Sequence, residues 1–509
     1  MRLTTMAAAI VLAASIPANP ASAAKPSKAE IQRADEIIDK VDIDKLFADE
    51  AYAASVLQDL NRLQAVSKDP EYVGNLAMLR SIALFKLKRN AEAVKASEAM
   101  IAAMPGDPRS YYVALLVPDE KDHARRAALL EQANRSLVEA GARAKFVSIL
   151  EDEFVFGMRR PAHIAKDERS LARSAAALLA LGWPVDDQPD VRDGFYVDMV
   201  NGALLDGDLA KAKTYAAKVT GISSTLEMLV AKRYESVFWS ADPAAQIAAA
   251  IAFEDQSTGR RLAQKPGDYN ALVRRTQYLR AVGRDDAALL LIEPKIDAII
   301  DGSDKTEDGF WLVNEAAYAL AALGRADEAV ALMNRLLALS MDEHPELVSM
   351  SINAIEVMTQ AGKHELAAAH SEKLAATKDI ASPYGEMWMW EGAACAYAMM
   401  GQGAKAKPWL DKLKAGEKDN EAALTRALLC TNELDAAAAL LVRRFDAPDG
   451  AGVLTAIQDY QRVGKGPSNR ALLEQRWRTV MERPDVKAAI ERRGRILALP
   501  LARAYYGAF

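Results

Sequence analysis

The stretch Ala321-Ala322-Leu323-Gly324-Arg325-Ala326-Asp327-Glu328-Ala329 decides the fold. Glycine takes the left-handed backbone that ends a helix, and the carboxylates of Asp327 and Glu328 favour the positive end of a new one. The nine residues therefore read as the bend of a helical hairpin. Ala329, one turn into the second helix, falls where two antiparallel helices cross and where a larger side chain would push them apart. Upstream, Leu312, Val313, Ala316, Ala317 and Leu320 recur at helical spacing and give the first helix a packing face.

The same interval of five residues recurs at Gly207/Ala212, Gly283/Ala288, Gly362/Ala367 and Gly401/Ala406, and without glycine at Lys88/Ala93 and Asn432/Ala437. From Gly283 onward successive glycines are separated by 41, 38 and 39 residues, a period that marks helical solenoids. Each hairpin shields only part of its apolar face, so neighbours must stack to complete the core. The expected fold class is all-α, an α-α superhelix (solenoid) of stacked helical hairpins. Composition agrees: 51% of the 509 residues are hydrophobic but only 6% aromatic, and alanine runs such as Ala436-Ala437-Ala438-Ala439 favour helices in close approach.

The copy Trp390, Ala394, Tyr397, Gly401, Ala406, Leu410 resembles the tetratricopeptide repeat (TPR) family in order and spacing. The hairpin around Ala93 lacks the glycine but has Pro105 where the family commonly ends its second helix. Val200 and Ile355 depart from the family's small residue, and the periods exceed its usual length of about 34. The resemblance covers Gly74–Pro105 and Asp193–Ala447. It implies a scaffold whose first helices line a concave, partner-binding side. The groove candidates are then Asn270, Gln277, Arg280, Trp311, Asn314, Tyr318, Asn353, Glu356, Trp388, Glu391 and Arg426. Rings supply contact area and amides satisfy a peptide backbone, so a protein or peptide partner is expected. The basic clamp that some family members use for a C-terminal carboxylate is not evident, since Val273 stands where a lysine would be wanted.

Other chemistry finds little support in the sequence. The five histidines include no pair at i, i+4 and no H-E-x-x-H, so no metal site is expected. There is no G-x-S-x-G elbow, phosphate-binding loop or dinucleotide fingerprint, and neither an enzyme nor a cofactor is expected. A formal charge of −6 argues against nucleic acid. Cys395 and Cys430 lie inside alanine-rich helical segments, where packing as buried thiols is favoured over a bridge.

Residues 1–23 read as a signal peptide: Arg2, an apolar run from Met6 to Ile16, and Ala21-Ser22-Ala23 before the cleavage point. A periplasmic or secreted location follows, with no later transmembrane segment and with envelope association possible. The expected organisation is an N-terminal helical region (24–182, with a TPR-like hairpin at about 74–107), a repeat array (190–447) and a C-terminal helical cap (448–509). The turn-rich Gly182–Pro189 stretch supplies the boundary. Between Arg470 and Arg503 nine basic residues face four acidic ones, which reads as a basic helix packed on the acidic array. The expected function is a non-catalytic scaffold for a protein or peptide partner. The alternative is a helical accessory or binding protein for a cell-envelope glycan or lipid-linked substrate in polysaccharide export or envelope assembly.

Overall fold

The computed structural model describes residues 36–38, 40–63, 66–117, 122–184, 188–302, 305–447, 450–461 and 468–506; the expected signal peptide lies outside them. The chain is all-α apart from two short strands among these residues, and it forms two compact units, 1–219 and 220–509. The boundary expected at Gly182–Pro189 falls inside the first unit, where the helix Pro189–Leu205 packs directly on Glu168–Leu181.

All seven five-residue intervals sit at hairpin bends. Lys88, Gly207, Gly283, Gly324, Gly362, Gly401 and Asn432 have φ between 57° and 79°, and each alanine five residues on is buried. Backbone hydrogen bonds set the interval. At Gly324 the N–H donates to Ala321 O (3.1 Å), and the Arg325 N–H reaches back to Leu320 O (2.8 Å), closing the first helix. The Arg325 carbonyl accepts from the Ala329 N–H (3.0 Å) and so opens the second. One residue thus ends one helix and starts the next, and the first residue bonded back to it lies five beyond the left-handed one.

A side chain in the left-handed region is strained, so the slot predicts its own mutants. Gly324→Ala should lower stability by about 1 kcal/mol, whereas Lys88→Gly should raise it by about 0.5–1 kcal/mol. Urea unfolding followed by helical signal measures both; equal midpoints for Lys88→Gly and the parent chain would contradict the strain.

In the first unit, the helices Pro70–Lys86 and Asn90–Ala103 form the Lys88 hairpin, and Pro189–Leu205 with Leu209–Ala216 forms the Gly207 hairpin. Its core includes Tyr111, Phe146, Phe154 and Trp183. In the second unit five hairpins follow one another: Tyr269–Ala281/Asp285–Ile292, Glu307–Ala322/Ala326–Leu336, Leu347–Gln360/His364–Ala375, Pro383–Met399/Gly403–Ala415 and Glu421–Cys430/Leu434–Asp446. Successive first helices pack side by side. Ile355, the bulky departure from the repeat pattern, is accommodated by its neighbour: a Cβ on Gly392 would lie 2.2 Å from Ile355 Cγ2.

Cys395 and Cys430 are joined in a disulfide, which corrects the thiol reading. Each is buried in the first helix of its own hairpin, and close packing of those helices brings their Cα atoms to 5.0 Å. That proximity comes from stacking, not from a small loop, so the local sequence did not announce it.

The C-terminal segment is not wholly helical. Asp459–Gln461 pairs in parallel with Ala498–Ala502, ahead of the short helix Arg503–Tyr506. The helices Ser468–Met481 and Pro484–Arg493 pack on the last hairpin. There Arg476 donates to the carbonyls of Leu429 (2.8 Å) and Cys430 (2.7 Å), and Arg492 pairs with Asp446 (3.1 Å). The chain then returns to the start of the unit. The Arg495 N–H donates to Val230 O (3.0 Å) and its Nε to Leu229 O (2.8 Å), while its guanidinium covers Trp239 at 3.9 Å. A Cβ on Gly494 would stand 2.1 Å from Val230 O, so only glycine permits this approach. No described helix is long and apolar enough to cross a membrane.

Candidate functional site

The first helices of the five hairpins and the returning C-terminal segment line a partly open cavity of about 500 Å³. Helical spacing explains one wall: Trp311, Asn314, Glu315 and Tyr318 stand at i, i+3, i+4 and i+7 and share one face of Glu307–Ala322. Neighbouring helices contribute Arg280, Asn353, Glu356, Gln360, Trp388 and Arg426. The opposite wall is more apolar, with Leu441 from the last hairpin and Val453, Ile457, Leu473, Trp477 and Tyr505 from the C-terminal segment.

A ladder of polar contacts ties the first helices together at the repeat spacing. Gln277 Nε2 donates to Glu315 Oε1 (3.2 Å), 38 residues on, and Tyr318 Oη donates to Glu356 Oε2 (3.2 Å), also 38 residues on. Asn353 Nδ2 donates to Asn314 Oδ1 (3.1 Å) across 39 residues. Glu356 Oε1 also accepts from Gln360 Nε2 (3.0 Å) and Arg426 Nη1 (3.2 Å).

Two arginines anchor the electrostatics. Arg280 is 4% exposed, donates to Glu315 and lies 3.4 Å from Asp285. Its guanidinium is 5.1 Å from the Tyr318 ring centroid and 5.5 Å from that of Tyr505. Burial works against its charge, but Glu315 and Asp285 outweigh burial and hold its pKa above the ordinary value. Arg426 pairs with Glu356 and with Glu391 (3.4 Å), and lies 5.5 Å from the Trp388 ring centroid. Burial raises the Asp285 and Glu391 carboxyls, with Arg280 and Arg426 respectively opposing the shift. Burial likewise raises the Tyr318 phenol well above its usual value, and Glu356 adds to the effect.

Glu391 and Arg426 form a rung across two helices, 35 residues apart. The disulfide Cys395–Cys430 is the next rung, one turn further along both helices and again 35 residues apart. It fixes the spacing at the point where Arg426 enters the cavity. Glu391, Cys395 and Cys430 cluster closely enough to suggest metal ligands, but the sulfurs are committed to each other.

Eight of the eleven sequence-derived groove candidates line the cavity: Arg280, Trp311, Asn314, Tyr318, Asn353, Glu356, Trp388 and Arg426. Glu391 is buried behind Arg426, Gln277 supports Glu315, and Asn270 accepts from Arg261 Nη2 (3.1 Å) away from the lining. Sequence reasoning missed Glu315, Gln360, Trp477 and Tyr505. Glu315 and Gln360 carried a signal, because each lies one turn from a named candidate, Trp311 or Glu356, on the same helix. Trp477 and Tyr505 carried none, since only the tertiary return of the C-terminal segment brings them in.

No protein-family model matches the chain, and no curated protein matches it. Among solved structures, the chain is similar to the crystal structure of the yeast Tom70, with 12% identity and a TM-score of 0.34 over 91% of this chain and 99% of that one. It is also similar to a structure of Naa15/Naa10 bound to HypK-THB, with 14% identity and a TM-score of 0.32 over 89% of this chain and 74% of that one. A third likeness is to the crystal structure of the APC/C hetero-tetramer Cut9-Hcn1, with 11% identity and a TM-score of 0.22 over 85% of this chain and 98% of that one.

Proposed function

We propose that the second unit is a non-catalytic, TPR-like scaffold that holds a protein or peptide partner by side chains inserted into this cavity. One observation carries the reading: five consecutive hairpins turn aromatic, amide and charged side chains of their first helices into a single chamber. The lining carboxylates Glu315 and Glu356 are tied by arginine, glutamine or tyrosine, which suits holding a guest better than moving protons. The C-terminal wall favours a short segment with anchoring side chains over a long extended strand. A disulfide persists in oxidising compartments, so Cys395–Cys430 supports export to the periplasm or medium.

A second reading, a binding protein for an envelope glycan or lipid-linked molecule, draws support from the apolar wall and a volume typical of small-molecule sites. Photo-crosslinking from position 311 or 388 in the exporting cell separates the two. A protein adduct is expected; a glycan or lipid adduct selects the second reading, and no adduct from either position removes the site. Trp388→Ala should weaken partner capture by at least about tenfold, the scale of a lost aromatic anchor, with helicity unchanged by circular dichroism. Loss of helicity would make Trp388 a packing residue instead.

A further inference from the structure

The charges that line the cavity are answered from within the protein. Arg280 pairs with Glu315 and Arg426 with Glu356 (3.2 Å), all four on the lining. The third lining arginine, Arg444, lies 3.5 Å from Glu421 and donates to Thr425 Oγ1 (2.9 Å). Asp285 and Glu391, outside the lining, are second partners of Arg280 and Arg426. Each lining guanidinium therefore has a carboxylate, and Glu315 and Glu356 each have a guanidinium.

The uncharged polar groups are engaged in the same way. Asn353 donates to Asn314, and Gln360 and Tyr318 donate to Glu356. Three rings are committed too, Tyr318 and Tyr505 to Arg280 and Trp388 to Arg426. What is left for a guest is largely apolar: the partly exposed Trp311 on the helical wall, and Val453, Ile457 and Leu473 on the C-terminal wall. A charged guest group would have to shed water here without meeting an unmatched countercharge. To obtain one it would have to break an ion pair and leave that pair's other member alone.

Resting on the scaffold reading, we infer that the group this cavity accepts is uncharged, an aromatic or branched aliphatic side chain of the partner, seated between Trp311 and the apolar C-terminal wall. Selection is then by rejection, because the internal ion pairs turn away acidic and basic side chains alike. A carboxylate clamp works in the opposite way, by keeping its basic residues open to the guest.

Three probes with one ring and different ends test this on the full chain: tryptophol (neutral), tryptamine (cationic) and indole-3-propionate (anionic), titrated by calorimetry. Tryptophol should bind at least about tenfold more tightly than either charged probe. Gln360→Glu, with its fold checked by circular dichroism, places a carboxylate without a guanidinium on the lining, and should improve tryptamine relative to tryptophol by at least about threefold. A charged probe that equals tryptophol on the parent chain overturns the inference, as does the absence of binding by all three. A folded Gln360→Glu chain with an unchanged ratio also overturns it, because the probes then sit elsewhere. A protein adduct from position 388 with a charged probe preferred would leave the scaffold reading standing and remove this one. Preference for tryptophol without any protein adduct would do the reverse.

Discussion

Arg280→Ala is expected to destabilise the second unit by about 3–5 kcal/mol, the usual cost of removing one partner from a buried ion pair. Glu315 and Asp285 are 5% and 3% exposed, and without Arg280 neither keeps a guanidinium beside it. Gln277 alone remains on Glu315, and an amide hydrogen bond does not neutralise a buried carboxylate. Replacing Glu315 as well, in Arg280→Ala/Glu315→Gln, should recover a substantial part of the loss, because the second change removes the orphaned charge. The pH dependence has a definite sign. Burial already raises Asp285, and losing Arg280, which opposes that shift, raises it further, so the folded form binds this proton more tightly than the unfolded one. Stability from such groups is present below the ordinary carboxylate pKa and is lost as pH rises through the raised folded value. The defect should therefore be larger at pH 7 than at about pH 4. Urea midpoints of the four chains at both pH values provide the measurement; additive single and double changes would mean that Arg280 acts by packing alone.

Ending the chain at Leu497 should have an effect of similar or greater size. It removes Leu499 and Leu501, 3% and 1% exposed, together with the strand pairing to Asp459–Gln461 and the Tyr505 ring on Arg280. Each buried leucine deleted costs about 2–5 kcal/mol, so the combined loss is comparable with the whole stability of an ordinary domain. The second unit should lose protection from proteolysis while the first keeps it, since 498–506 belongs to the second. A truncated chain with unchanged protection would make the C-terminal segment a removable cover and the cavity an open groove.

The hairpins were legible because their cause is local. A left-handed residue, a capping residue and an alanine in the fifth place leave the same imprint wherever two helices turn on each other. Where the fifth place holds a bulky side chain the imprint fades: Gly141 and Lys166 also have positive φ, but Phe146 and Leu171 stand where alanine would be looked for. The cavity was half legible for the same reason. Its helical wall obeys i, i+3, i+4 spacing, so most candidates on that wall could be named from the sequence. The wall formed by Ile457, Leu473, Trp477 and Tyr505, and the Cys395–Cys430 bridge, depend on stacking and on a chain return that no local pattern encodes.

The contact of Arg495 with Leu229 and Val230 has a consequence for how the second unit comes apart. An open row of repeats frays from its outer members, each held by one neighbour. Here the last segment is bonded to the first, so neither extremity can peel away without releasing the other. Amide hydrogen exchange should then report one shared opening for Ile222–Val230 and for Leu434–Asp446, where a linear array would show a gradient of protection from middle to ends.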